Sequence, residues 1–236
     1  MKERLDKFIA SQTALSRKEA QKAIRSRRVT VKDDTITAVD YKVAPDRDTV
    51  TLDGKPITYR QFVYYMMDKP SGVVSATEDR DERTVIDLLP PALRRDGLFP
   101  AGRLDKDTTG LLIITDDGDY AHRMLSPKKH VMKRYIATLD REPDGSIPER
   151  FSQGVTLGDG TVCKSAVADL LGGVRVAVQL SEGKYHQVKR MFAALGYHVE
   201  ALERVRIGAL ALDPALSPGE VREMTAEEAD TVFLVC

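Results

Sequence analysis

The sequence predicts an α+β fold in two parts. Strand-like stretches, among them Leu111 to Ile114, Lys133 to Leu139 and Val199 to Ile207, are interspersed with segments of helical spacing such as Val188 to Leu195. With 236 residues, 42% of them hydrophobic, the chain can bury one sizeable core or two smaller ones. Charge is uneven: residues 1–60 hold fourteen Lys or Arg against nine Asp or Glu, and the remaining 176 hold twenty-two against twenty-seven. The balanced total of 36 and 36 favours no partner, but a small basic N-terminal part is the asymmetry expected of an appended nucleic-acid grip. The division is expected at residue 58, with 1–58 as the small domain and 59–236 as the large one.

In the small domain, Leu5, Phe8 and Ile9 recur at helical spacing. Ser16 followed by Glu19 is a capping-box pair, so a second helix is expected to start at Ser16. Its apolar stripe is Ala20, Ala23 and Ile24, while Arg17, Lys18, Lys22, Arg25, Arg27 and Arg28 project elsewhere as a surface for phosphates. Val29 to Val31 and Thr49 to Leu52 read as strands, each followed by a turn, and Pro56 to Gln61 as the hinge.

In the large domain, Phe62 to Met67 reads as a strand, Asp68 to Gly72 as a Pro-Gly turn, and Val73 to Ser75 as the neighbouring strand. Thr84 to Leu89 is expected to form a short helix ending at Pro90-Pro91. Asp119 to Ser126 reads as a helix with Tyr120, Met124 and Leu125 inward, stopped by Pro127. In the strand Lys133 to Leu139, Tyr135, Ala137 and Leu139 share a face. A short helix is expected around Pro148 to Gln153, and strands over Cys163 to Leu171 and Val174 to Leu180 joined at Gly172-Gly173. The helix containing Val188, Met191, Phe192 and Leu195 stops at Gly196. Lys189 and Arg190 lie near its start, where the helix dipole disfavours cations, so carboxylates are expected to compensate them. Thr225 with Glu227 and Glu228 marks a last helix start.

The stretch with most chemical content runs from Ala101 to Gly118. A polar loop carrying Arg103, Asp105, Thr108 and Thr109 enters the buried strand Leu111 to Ile114, ended by Asp116, Asp117 and Gly118. Arg103 and Lys106 flank Asp105 and favour its ionised form, ready as nucleophile or base. Taken alone, Asp105 reads more readily as a residue that caps a turn and pairs with a neighbouring base. The order Gly-Arg-Leu-Asp, then Thr-Thr-Gly-Leu-Leu-Ile-Ile-Thr and Asp-Gly, resembles the catalytic motif of the pseudouridine synthases, in the RsuA-type branch. Lys133-Arg134-Tyr135 and Gly183-Lys184-Tyr185-His186-Gln187-Val188-Lys189-Arg190 are similar to two further motifs of that family, and the N-terminal pattern resembles the alpha-L, or S4-type, RNA-binding domain.

That resemblance implies an S4-type domain followed by a catalytic domain on a mainly antiparallel mixed sheet crossed by a cleft. It implies isomerisation of a uridine in RNA, with Asp105 catalytic, Tyr135 stacking on the flipped uracil, and Lys189 holding Asp105 through a charge-assisted hydrogen bond. Arg103 and Gln187 join the basic N-terminal residues as substrate-binding groups. Many members carry Arg where this chain has Lys189, which loses the bidentate fork. Small-subunit 16S ribosomal RNA, as free RNA or an assembling particle, is the implied substrate, with 23S RNA as the alternative within the class. The rivals from other classes are a non-catalytic ribosome-assembly factor and a metal-dependent nuclease.

His122, His130, His186 and His198 are dispersed, no phosphate loop or dinucleotide fingerprint occurs, and neither metal nor organic cofactor is expected. Cys163 and Cys236 suggest no disulfide framework, which fits a reducing cytoplasm. The opening Met1-Lys2-Glu3-Arg4 lacks an apolar signal core and no stretch is long enough to span a bilayer, so a soluble, unprocessed chain without membrane partners is expected; a monomer is expected as well.

Overall fold

The computed structural model describes residues 2–234; Cys236, expected to stand free of any disulfide, lies outside them. The chain divides into two compact units, one running to Val63 and taking in Leu89–Phe99, the other made of Tyr64–Leu88 and the chain from Pro100 onward.

In the smaller unit, Leu5–Gln12 (α1) and Arg17–Arg25 (α2) share a core with the antiparallel strands Val29–Val31 and Val50–Leu52. Ser16 caps α2 as expected: its hydroxyl accepts from the Glu19 N–H, and the Glu19 carboxylate accepts from the Ser16 N–H at 2.8 Å. Leu5, Phe8, Ile9, Ala20, Ala23 and Ile24 are all buried, so both helical stripes face the core. One charge is buried with them. The Asp6 carboxylate accepts from Arg4 at 3.0 and 3.2 Å, from Arg17 at 3.2 Å and from Gln21 at 2.8 Å, which ties α1 to α2. Burial opposes its ionisation, and these donors more than offset that, holding it well below the usual carboxylate range.

The larger unit is built on one sheet. Its principal strands, in chain order, are Tyr64–Lys69 (β1), Thr109–Thr115 (β2), Lys133–Leu139 (β3), Val167–Gly172 (β4), Arg175–Leu180 (β5), Val199–Ile207 (β6) and Val221–Glu223 (β7). They lie in the order β4-β5-β3-β6-β2-β1-β7. Every neighbouring pair along that path is antiparallel except β6 and β2, which run parallel through Glu203 opposite Thr109 and Arg204 opposite Gly110. The sheet is therefore mixed and mainly antiparallel, as the resemblance implies. Ile147–Ser152 (α3) and Gln187–Ala194 (α4) place Ile147, Phe151, Val188, Met191 and Phe192 in one core with Ala137, Leu139, Val176 and Val178. Tyr135 packs against that core, on the strand face expected.

Several expectations need correction. β1 begins at Tyr64, leaving Phe62 exposed, and continues through Asp68 and Lys69, which the sequence suggested as a turn. Both side chains are buried, and the strand continues because both residues still pair with β2, Asp68 opposite Leu111 and Lys69 opposite Gly110. Val73 to Ser75 is no neighbouring strand: only Val74 forms a bridge, to Thr84, while β1 is flanked by β2 and β7. Thr84 starts a turn rather than a helix, because its N–H and hydroxyl both donate to the Asp87 carboxylate, at 2.8 and 3.0 Å. The helix after Asp117 spans Gly118–Leu125, but Leu125 points to solvent while Tyr120, Ala121 and Met124 are buried. The Gly172-Gly173 hairpin forms as expected, with its first strand starting at Val167 and leaving Cys163 outside it in the core.

Candidate active site

The loop from Ala101 to Thr108 enters β2 beside the parallel junction of the sheet. That junction is close. Gly110 has φ +94°, and a Cβ there would collide with the carbonyl oxygen of Arg204 and come 2.9 Å from its nitrogen. Glycine alone combines this backbone conformation with this approach. Arg204, opposite Tyr135 on β3, is itself buried and donates from Nε to the Leu111 carbonyl at 2.8 Å. Three adjacent strands thus carry Tyr135, Arg204 and Gly110 across the sheet.

Two buried groups set the shape of the loop. The Lys69 ammonium donates to the carbonyls of Pro70 at 3.0 Å, Lys106 at 3.2 Å and Thr108 at 2.9 Å. Burial pushes Lys69 down from 10.5 to about 8, with Arg204 and Lys189 adding to the effect and Asp107 and Asp105 opposing it. Ser75 clamps the opposite side, its hydroxyl donating to the Leu104 carbonyl at 2.9 Å and accepting from the Leu104 N–H at 3.0 Å. The Lys-Pro-Gly stretch and Val73-Val74-Ser75 thus hold the two flanks of Asp105. Sequence reading gave them a structural role without finding these contacts.

Asp105 and Tyr135 line one cleft of about 540 Å³, together with Arg103, Thr108, Leu180, Tyr185, His186, Gln187 and Leu202. Lys189, in the first turn of α4, brings Nζ to 3.8 Å from Asp105 Oδ2 and to 2.5 Å from Asp107 Oδ1. The expected Lys189 and Asp105 pair is present as an ion pair, but the hydrogen bond goes to Asp107. The ammonium has donors enough for both carboxylates, but at 3.8 Å Asp105 stands outside hydrogen-bonding distance. That bond holds Asp107 below the usual carboxylate range. Arg190, beside it, pairs with Asp159 at 2.5 Å, so both cations near the helix start are compensated by carboxylates.

His186 is a neighbour the sequence did not single out. Its Nε2 lies 3.4 Å from Asp105 Oδ1, and its backbone is left-handed at φ 47°. The signal was its place inside a matching motif, immediately before the helix. Lys133, at the start of β3, donates to the Val131 carbonyl at 3.0 Å, and burial together with Arg204 pushes it down to about 8.

Gln187, expected to bind substrate, reaches the cleft but has its amide committed inside the protein. Its oxygen accepts from the Lys184 N–H at 2.9 Å and its nitrogen donates to Glu182 at 2.6 Å. Its role in this arrangement is to fix the turn before α4. Arg103 is exposed and has no ion pair among the described residues. Of the basic residues on and after α2, Arg17 is bound to Asp6 and Arg28 to Asp53, while Lys18, Lys22, Arg25 and Arg27 have no ion pair among the described residues. Among those residues, no helix is long and apolar enough to cross a membrane.

Comparison with known proteins identifies the family. The RNA pseudouridylate synthase family matches residues 63–194, and the S4 domain matches residues 3–48. The uncharacterized RNA pseudouridine synthase YtzG of Bacillus subtilis is 45% identical over 229 residues, covering 95% of this chain and 96% of that protein. Ribosomal small subunit pseudouridine synthase A of Escherichia coli is 44% identical over 233 residues, covering 97% and 99%. A crystal structure of a pseudouridylate synthase superposes with a TM-score of 0.68 at 37% identity, covering 97% of this chain and 99% of that one. With a family match across more than half its length and relatives of this identity end to end, the chain belongs to the RNA pseudouridylate synthases, a family of isomerases, and carries an S4 domain ahead of the catalytic one.

Proposed function

We propose that the chain isomerises one specific uridine of 16S ribosomal RNA to pseudouridine, with residues 1–58 gripping RNA and 59–236 carrying the chemistry. The observation that carries this reading is convergence: Asp105 and Tyr135, from two separated motifs, line one cleft, and Lys189, from a third, stands 3.8 Å from the Asp105 carboxylate. The name of the Escherichia coli relative supports the small subunit as the source of the substrate.

The reaction breaks the bond between sugar C1′ and uracil N1, turns the ring, and joins C1′ to C5. The proton lost from C5 balances the one gained at N1, so nothing is oxidised or reduced. The uridine must leave its stack to reach the cleft, and phosphate contacts from Lys18, Lys22, Arg25 and Arg27 offset part of that cost. Asp105 acts on the nucleotide as nucleophile or base, with the ammonium of Lys189 3.8 Å from its carboxylate. Tyr135, half-buried against the core, gives the extruded uracil a rigid face. Arg103 is free to meet a phosphate.

The test is tritium release from RNA labelled at uracil C5, using 16S RNA, 23S RNA and partly assembled small subunits. Release by the native chain on 16S RNA or the particle, and none by Asp105→Asn, is expected. Equal release by Asp105→Asn would remove Asp105 from the chemistry, and release on 23S RNA alone would transfer the substrate to the large subunit.

A further inference from the structure

The turn before α4 carries an aromatic pair for which the proposed chemistry has no use. The rings of Tyr185 and His186 stack with centres 3.8 Å apart and planes inclined by 18°. Tyr185 is 76% exposed, more than any other large apolar or aromatic side chain among the described residues, and it lines the same cleft as Asp105 and Tyr135. Leaving such a ring in water contributes nothing to folding.

The backbone beneath it is nevertheless tightly held. The Gln187 N–H donates to the Lys184 carbonyl at 3.1 Å, the Gln187 side chain accepts from the Lys184 N–H at 2.9 Å, and Arg190 donates to the Tyr185 carbonyl at 3.4 Å. His186 adopts φ 47°, a left-handed conformation that costs a non-glycine residue on the order of 1 kcal/mol or more. That conformation places its imidazole both against Tyr185 and 3.4 Å from Asp105. One face of the tyrosine is therefore covered, and its exposure lies on the other. The ring is held on a fixed support beside the candidate catalytic carboxylate.

We propose that Tyr185, backed by His186, is a stacking platform for the nucleobase adjoining the isomerised uridine on the RNA strand. The proposal rests on the reading of the chain as an RNA isomerase and adds a second base site to it. When a uridine leaves its helix, its neighbour loses a stacking partner, and an aromatic face replaces that partner whatever the base. Arg103, exposed and without an ion pair among the described residues, supplies on the same cleft the charge that the strand's phosphates require. Tyr135 differs from Tyr185 in packing against the core, which suits it to the enclosed uracil rather than to the strand outside.

The sequence contains no tryptophan, so Tyr185→Trp installs a single fluorophore at the platform. Adding 16S RNA is expected to quench its emission, while Leu171→Trp, a lone fluorophore exposed on β4 and away from the cleft lining, keeps its emission. Unchanged emission of the Tyr185→Trp chain under saturating RNA, or an equal quench in both variants, would overturn the platform. In turnover, Tyr185→Ala is expected to lower kcat/KM roughly 5- to 150-fold, the range of a lost base stack. Tyr185→Phe should restore the rate, and the thermal midpoint should stay unchanged. A native rate in Tyr185→Ala would likewise overturn the proposal. The quench needs no turnover, so a native chain that forms no pseudouridine would refute the proposed function while the fluorescence still decides the platform.

Discussion

Replacing Lys69 by methionine separates the stability of the fold from the geometry of the Asp105 loop. The ammonium holds three carbonyls, and the Lys106 oxygen also accepts from the Gly72 N–H at 2.8 Å. Removing the ammonium therefore orphans two oxygens, those of Pro70 and Thr108, at about 1–3 kcal/mol each. The opposing effect is relief of a buried charge. A fall from 10.5 to about 8 corresponds to about 3 kcal/mol favouring the neutral form. The two effects largely offset, so unfolding in urea should show a net change between a gain of about 1 and a loss of about 3 kcal/mol. The loop, however, loses its tethers on both sides of Asp107. A misplacement of about 1 Å at a reacting group costs on the order of 100-fold, so kcat should fall by about that factor in a variant that remains folded. A folded Lys69→Met enzyme with native kcat would refute the idea that this lysine shapes the site.

The same group sets a pH dependence of opposite sign for stability and activity. The unfolded chain binds more protons than the folded one between about 8 and 10.5, so the contribution of Lys69 to stability rises through that window, and Lys133 adds in the same direction. Above pH 8 the neutral amine has two N–H donors for three carbonyls, so activity should decline there while urea resistance does not, and Lys69→Met should lose that decline. Gly110→Ala forces a Cβ against the Arg204 backbone in a positive-φ conformation; an unfolding free energy lower by about 2–4 kcal/mol is expected, and a native value would contradict the described approach. For Asp6, held well below the usual range, stability is present above the unfolded value and lost as pH falls through the folded one. Asp6→Asn should cost about 1–3 kcal/mol at neutral pH, read by urea unfolding, and should make the smaller unit less sensitive to acid.

What was legible in the sequence was local. The Ser16 and Glu19 box, the Leu111 to Ile114 run, the Gly172-Gly173 hairpin and the stripe of α4 each announce themselves within a few residues, and each forms as expected. Two of the carbonyls that hold Lys69 lie 37 and 39 residues away in the chain, so its charge beside a proline read as a turn. The sharing of Lys189 between Asp105 and Asp107 follows from spatial distances that spacing along the chain does not encode. His186 escaped notice for a similar reason: its nearness to Asp105 spans the gap between two motifs and belongs to neither.

The parallel junction between β2 and β6 has a further consequence. Among the described residues, two registered pairs join the β4-β5-β3-β6 half of the sheet to the β2-β1-β7 half, and the partners lie more than ninety residues apart in the chain. Asp105 arrives from one side of that seam and Tyr135, His186 and Lys189 from the other. Contacts between segments so distant carry a large loop-closure entropy and tend to form late. The candidate site residues thus meet once that junction closes rather than within either half. A nascent or partly opened chain can hold most of its secondary structure and its RNA grip while being chemically silent, so binding can precede competence during synthesis.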